Sequence, residues 1–176
     1  MEQKIYLEIY KKANENAIGL QNEAKLLIDN SHFARGYALA FTALEEISKG
    51  QFAADVYTGL KDEKEFKDFY RNHIKKAERM KWAQNDANTP LYNLKHIGPE
   101  FDDYENMSPE EPTFQKRQAA FYLDIDFSAS SLLIPKDEIS EKDANDMLHI
   151  VNVALERIWE SVEHWGHPIG TKGFMK

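Results

Sequence analysis

The chain has 176 residues, 22 Lys and Arg against 30 Asp and Glu, a net charge of -8 and a pI near 5.3. It has no cysteine, which excludes disulfide scaffolds, zinc ribbons and thiolate nucleophiles, and no apolar run reaches the roughly 18–20 residues of a membrane helix. With 42% hydrophobic residues, including 10 Phe and 8 Tyr, it is long enough to bury a core and is expected to be soluble and cytoplasmic, with no membrane partner.

Residues 1–86 read as helix almost throughout. Ile5, Ile9, Ala13, Ala17, Leu20, Ala24, Leu27 and Ile28 recur at three- and four-residue intervals, one apolar stripe along a first helix. Ser31 is placed to cap a second helix, whose stripe runs through Phe33, Tyr37, Phe41, Leu44 and Ile47 and which ends near Gly59. Asp62 is placed to cap a third helix, with Phe66, Phe69, Tyr70, His73, Ile74, Ala77 and Met80 on its inner side. Residues 87–115 hold Pro90, Pro99, Pro109 and Pro112 and read as a long, acidic, irregular loop; from Pro99 to Glu111 there are six acidic residues and no basic one. Residues 114–127 begin as a short helix and then alternate from Tyr122 to Phe127 like an extended segment. Ser140 opens a last helix with Met147, Leu148, Val151, Ala154, Leu155, Ile158, Trp159 and Val162 on its apolar side. The sum is an all-α chain, one domain over 1–176: a bundle of four main helices with a long irregular crossover before the last.

Three stretches carry chemistry. In YALAFTALEEISKG, small residues precede Glu45, Glu46 and Lys49, and Glu45 lies beside the apolar stripe, where a carboxylate needs a cationic partner. The sequential second and third helices are expected to run antiparallel, so that Glu45 or Glu46 meets His73 or Lys76. In FYRNHIKKAERMK, Arg71, Lys75 and Arg79 recur every four residues, a basic helix face suited to phosphates. In the last helix, Arg157 and His164 are seven residues apart and are expected on one face, an Arg to hold phosphate and a His to move protons in RNA cleavage. The plain readings of these residues are a surface ion pair, a solvated face and a chance pairing.

Metal and cofactor sites fare worse. Glu46 is followed at the third position by Lys49 rather than a His, so a carboxylate-bridged di-iron centre is rejected. Asp124 and Asp126 share a strand face, for which a turn role is simpler than a metal, and no Gly-rich phosphate loop occurs. Neither cofactor nor metal is expected.

YALAFTALEEISKG, FYRNHIKK and KRQAAFYLDIDF, in this order, resemble the AbiV family of bacterial abortive-infection proteins over roughly residues 13–127. The resemblance implies a motif set at Glu45, Glu46, Lys49, His73, Lys76, Arg117, Tyr122 and Asp124. It implies phage defence through arrested protein synthesis, with RNA, a ribosomal component or a phage protein as partner. It also implies likeness to the helical HEPN superfamily, many of whose members are dimeric ribonucleases with Arg-x4-6-His on a late helix, and so a homodimer here. Arg157 and His164 satisfy that spacing, but Ile158 stands where a polar residue is common. The implied catalytic groups are His73, Arg157 and His164; a non-catalytic interaction module is the competing reading.

The net charge is uneven. Residues 61–81 hold eight basic and five acidic residues, so a small oriented basic site is compatible with an acidic chain.

Overall fold

The computed structural model describes residues 2–88 and 112–171. The chain is predominantly helical. Helix α1 (Gln3–Asp29) and helix α2 (Phe33–Tyr57) lie antiparallel along their whole length: Gly36 approaches Ala24 and Ile28, Gly50 approaches Ala13, and the Gln3 amide donates to the carbonyl of Tyr57. Three short helices follow, α3 (Glu63–Tyr70), α4 (His73–Arg79) and α5 (Lys81–Ala87). Helix α6 (Phe114–Phe121), the strands β1 (Asp124–Asp126) and β2 (Ser131–Leu133), and the single turn α7 (Pro135–Glu138) lead to helix α8 (Glu141–Trp159). A π-helical turn, Glu160–His164, ends it.

Helix α2 is central. Its Ala38, Ala40 and Ala43 are fully buried, and they let α1 and α8 pack closely against it. The main core joins α1, α2, α5 and α8 through Ala24, Phe41, Leu44, Ala83, Met147 and Ile150. A second cluster of Tyr6, Phe52, Phe66 and Phe69 seats α3 at the other end. On α1 the inward residues near the N-terminus are Tyr6 and Tyr10, with Ile5 and Ile9 only partly covered.

Capping explains several boundaries. Asp62 Oδ1 accepts from the Glu65 amide at 2.8 Å while Glu65 Oε2 accepts from the Asp62 amide at 3.0 Å, and Ser140 and Asp143 make the same reciprocal pair before α8. Gly59, with φ +76°, turns the chain just past α2. Ser31 is not the cap expected of it. It takes a left-handed conformation with φ +61°, and His32 stands at the cap position with no side-chain bond.

The expected third helix is broken twice. Asn72 accepts a hydrogen bond from the Lys75 amide and starts a new helix, because a short amide side chain competes with the backbone at a helix end. Met80 separates α4 from α5. The break shifts the phase of burial: Tyr70 and Ile74 are exposed, while Lys76, Ala77 and Met80 turn inward. The extended segment at 122–127 is the first half of an antiparallel hairpin in which Ile125 pairs with Leu132. Of the acidic 87–115 loop, α5 occupies its start and α6 begins at Phe114; the stretch from Pro99 to Glu111 lies outside the described residues. Among the described residues no helix is long and apolar enough to cross a membrane.

Candidate functional site

The Glu45 side chain is 4% exposed, one turn from buried Phe41 and Ser48 on α2. The chain break at Asn72 aims α4 back at it. His73 and Lys76 are three residues apart on α4 and so share a face. His73 Nδ1 lies 2.6 Å from Glu45 Oε1, and Lys76 Nζ lies 4.0 Å from the same oxygen. The ring of Phe114, on α6, stacks on His73 at 5.4 Å with 22° between planes. The Arg117 guanidinium lies over the rings of Phe114 and Phe121, its buried Nε without a hydrogen-bond partner.

Glu46, one residue on, points to a different side of α2, where it forms an ion pair with Lys49. Lys49 Nζ also sits 5.4 Å from the centre of the Tyr70 ring. Burial pushes the Lys76 ammonium below its ordinary pKa; Glu45 opposes that and Lys49 adds to it. The charges that act on Lys76 are thus the carboxylates of Glu45 and Glu46 and the cations Lys49 and Arg117, while Glu45 alone of these bonds the imidazole.

The chemistry follows from the pairing. An ionised Glu45 is only an acceptor, so it selects the tautomer in which His73 Nδ1–H donates. In the neutral ring the other nitrogen, Nε2, then carries a lone pair. With the His73 side chain 45% exposed, this is an imidazole oriented by a buried carboxylate, the arrangement of a general base.

The other motif positions do not join this cluster. Tyr122 is exposed against Phe121, and the Asp124 carboxylate accepts from the Ile125 amide. Asp126 Oδ1 accepts from the Ser128 amide and hydroxyl and from the Ala129 amide, which makes it a turn residue. Among the described residues no three His, Asp or Glu side chains group as metal ligands.

The expected row of Arg71, Lys75 and Arg79 does not form. Arg71 and Lys75 are exposed, but they fall on either side of the α3–α4 break. Arg79 turns inward to an ion pair with fully buried Asp55 and lies 4.8 Å over the Phe52 ring. Arg157 and His164 are separated by the π turn, so their seven-residue offset no longer equals two α turns. Arg157 sits 3.8 Å from Asp86 and 3.9 Å from Glu160 with its guanidinium over Trp165, whereas the His164 ring stacks near Trp159.

Asp55 and Phe114 were not singled out from the sequence. Asp55 had a signal: Ser48, Gln51 and Asp55 continue the buried face begun by Phe41 and Leu44, and polar residues on a core stripe must find partners. Phe114 had none, since its contact with His73 spans the chain between α4 and α6.

The family model described as AbiV, of the HEPN group, matches residues 5–156. The chain belongs to the AbiV family. That membership makes it an abortive-infection protein of phage defence. The match takes in the whole Glu45–His73–Lys76 cluster and stops one residue before Arg157. No curated protein and no solved structure matches the chain.

Proposed function

We propose that this AbiV protein halts an infected cell by cutting RNA that serves translation, with His73 as the proton-transferring group of a metal-independent site in the cytoplasm. The observation that supports this reading is the 2.6 Å pairing of a half-exposed imidazole with a buried carboxylate. His73 Nε2 takes the proton of a ribose 2′-hydroxyl. The 2′-oxygen attacks the adjacent phosphorus, the bond to the 5′-oxygen breaks, and that oxygen leaves with a proton from solvent. The products are a 2′,3′-cyclic phosphate and a 5′-hydroxyl. Lys76 and Arg117 offset charge near the imidazole, and exposed Arg71 and Lys75 flank the entrance to α4 as phosphate contacts.

The test is incubation of purified protein with tRNA, rRNA and mRNA, alone and with lysate of phage-infected cells. Cleavage with cyclic-phosphate ends, unaffected by EDTA and lost in His73→Ala, is the expected result. Intact RNA in every mixture, from protein that still protects cells, refutes it.

Burial of Glu45 and Lys76 supports a second reading, a non-catalytic module whose polar cluster braces α2 against α4 and which is triggered by a phage protein. Under that reading, His73→Ala and the double change Arg157→Ala with His164→Ala leave phage resistance intact in folded protein.

A further inference from the structure

One groove of the molecule takes no part in the proton transfer assigned to His73. Helices α1, α2 and α3 leave a space of about 760 Å³ between them, within the size range of small-ligand sites. Its apolar lining comes from Ile9 and Ala13 on α1 and from Phe66 on α3. Its polar lining is mostly cationic, with Lys12, Lys49, Lys67 and Arg71 against the carboxylates of Glu46 and Asp68. Three of these cations are already held: Lys12 lies 2.6 Å from Glu15, Lys67 lies 2.5 Å from Glu63, and Lys49 is paired with Glu46. Arg71 has no ion pair among the described residues, and it is exposed at the end of α3.

Tyr70 stands beside Arg71 in the same lining. Phe66 and Phe69 of its helix are buried, whereas Tyr70 is 46% exposed. Its ring leans on Phe66 at 5.7 Å, and Lys49 Nζ lies 5.4 Å from the ring centre. Two links join this groove to His73. Tyr70 and Arg71 lead directly into Asn72 and His73, across the turn that opens α4. Glu46 and Lys49 line the groove and also act electrostatically on Lys76, which neighbours the Glu45 oxygen that bonds His73. Groove and imidazole are therefore adjoining compartments.

We infer that this groove is the subsite for an unpaired RNA nucleotide next to the bond that His73 opens, with the base stacked on Tyr70 and its phosphate against the Arg71 guanidinium. The assignment rests on the RNA-cutting reading of His73. An exposed aromatic ring beside a cation is how proteins hold a single strand, because every base has a face that stacks and every nucleotide carries a phosphate. A base inside a duplex has both faces covered by its neighbours and cannot enter such a groove without being splayed out. The apolar lining of Ile9, Ala13 and Phe66 suits the rest of the base, and a single free guanidinium suits a single phosphate. The groove thereby selects single-stranded segments, which an acidic chain would not gather by overall charge.

The test reads binding separately from cutting and uses the full chain. Wild type and variants are titrated with a short, fluorescent, 2′-O-methylated oligonucleotide, in which the attacking oxygen is blocked. The single strand is expected to bind more tightly than the same sequence in duplex. Tyr70→Ala is expected to raise Kd about 10-fold, the size of one lost base stack, and Tyr70→Phe to stay near wild type because a phenyl ring also stacks. Arg71→Ala is expected to make the slope of log K against log salt shallower by about 0.7, the share of one phosphate on a single strand. Urea midpoints of all three variants show that the fold is kept, and exposed Arg71 tests the site even if Tyr70→Ala unfolds. On unmodified RNA that the wild type cuts, Tyr70→Ala is expected to raise KM by a similar factor. A wild type that does not bind the single strand, or a Kd and salt slope indifferent to Tyr70→Ala and Arg71→Ala, overturns the subsite whether or not RNA is cut. A free nucleoside monophosphate that binds as tightly as the oligonucleotide overturns it too, in favour of a small-molecule site. Binding that depends on Tyr70 and Arg71 in a protein that leaves all RNA intact supports the single-strand groove and refutes the reading of His73 alone.

Discussion

His73 and Glu45 are 28 residues apart in sequence, yet Nδ1 of one lies 2.6 Å from Oε1 of the other. The two side chains differ in what their loss should cost. Removing one partner of a buried ion pair leaves the other charge uncompensated, at about 3–5 kcal/mol. Glu45→Ala strands the buried Lys76 ammonium and is expected to destabilise by about that amount, read as a lower urea midpoint with unchanged slope. His73→Ala removes a half-exposed ring and takes away the hydrogen bond of Glu45, but leaves that carboxylate Lys76 at 4.0 Å, and is expected to cost less, about 1–3 kcal/mol. If the two variants unfold at the same urea concentration, the burial assigned to this cluster is wrong.

Acid sensitivity has a source at the start of α8. Burial raises the Asp143 pKa, but its bonds to Lys116, at 2.6 Å, and to Ser140 outweigh burial and hold the carboxyl below the usual range. An unfolded Asp titrates near about 3.9. The depressed folded value therefore contributes stability that is fully present above that pH. It is lost as pH falls through the folded pKa, because the unfolded chain then binds the extra proton. Asp143→Asn is expected to flatten this part of the acid limb and to cost about 0.5–2 kcal/mol at neutral pH, because the carboxylate's ion pair with Lys116 is lost and its return bond to the Ser140 cap is weakened. Urea titrations of both proteins between neutral and acid pH check the slope and the offset together.

The long helices were legible because burial on one side imposes a three-to-four-residue rhythm that α1, α2 and α8 all keep. The meeting of Glu45 with His73 and Lys76 was legible for a related reason, a carboxylate written beside an apolar stripe and followed by a basic helix. What the rhythm hid was the phase change at Arg71 and Asn72. A stripe can be drawn through Phe66, Tyr70, His73, Ile74 and Ala77 without a break, but a single Asn side chain bonding to the Lys75 amide resets it. That reset takes Arg79 away from Arg71 and Lys75 and hands it to Asp55. The π turn did the same to Arg157 and His164: one widened turn is invisible to a count of residues.

The α1–α2 contact is tight enough to set opposite outcomes for two glycines. A methyl group on Gly36 would stand 2.5 Å from Ile28 Cγ1 and 3.2 Å from the carbonyl oxygen of Ala24. The side chain can shift and the backbone cannot, so Gly36→Ala is expected to destabilise by about 1–3 kcal/mol despite better helix propensity. On Gly50 the nearest atoms would be Ala13 Cβ at 3.3 Å and the Tyr10 carbonyl oxygen at 3.4 Å, a crowding that a small shift relieves. There the gain of about 1 kcal/mol for Ala over Gly offsets the crowding, and Gly50→Ala is expected within about 0.5 kcal/mol of wild type. Thermal or urea unfolding of the pair decides it; equal losses would mean the helices meet in another register.

Asp55 ties the C-terminal end of the described chain to α2. Its buried carboxylate accepts from the Thr171 amide at 2.7 Å and from the Thr171 hydroxyl at 2.9 and 3.0 Å, and it is ion-paired with Arg79. Gly170 passes so close that a methyl group there would lie 2.6 Å from Asp55 Oδ1, at a φ of +83° that disfavours any side chain. Asp55→Ala leaves the Arg79 guanidinium against Phe52 and Phe69 with no carboxylate, and is expected to cost about 3–5 kcal/mol. Asp55→Asn keeps an acceptor for Thr171 but not the charge for Arg79, so it should fall between Ala and wild type. Hydrogen exchange separates the two partners. The Thr171 amide should lose protection in Asp55→Ala and retain much of it in Asp55→Asn. Protection that survives in Asp55→Ala would show that the last turn is held by its own backbone and not by this carboxylate.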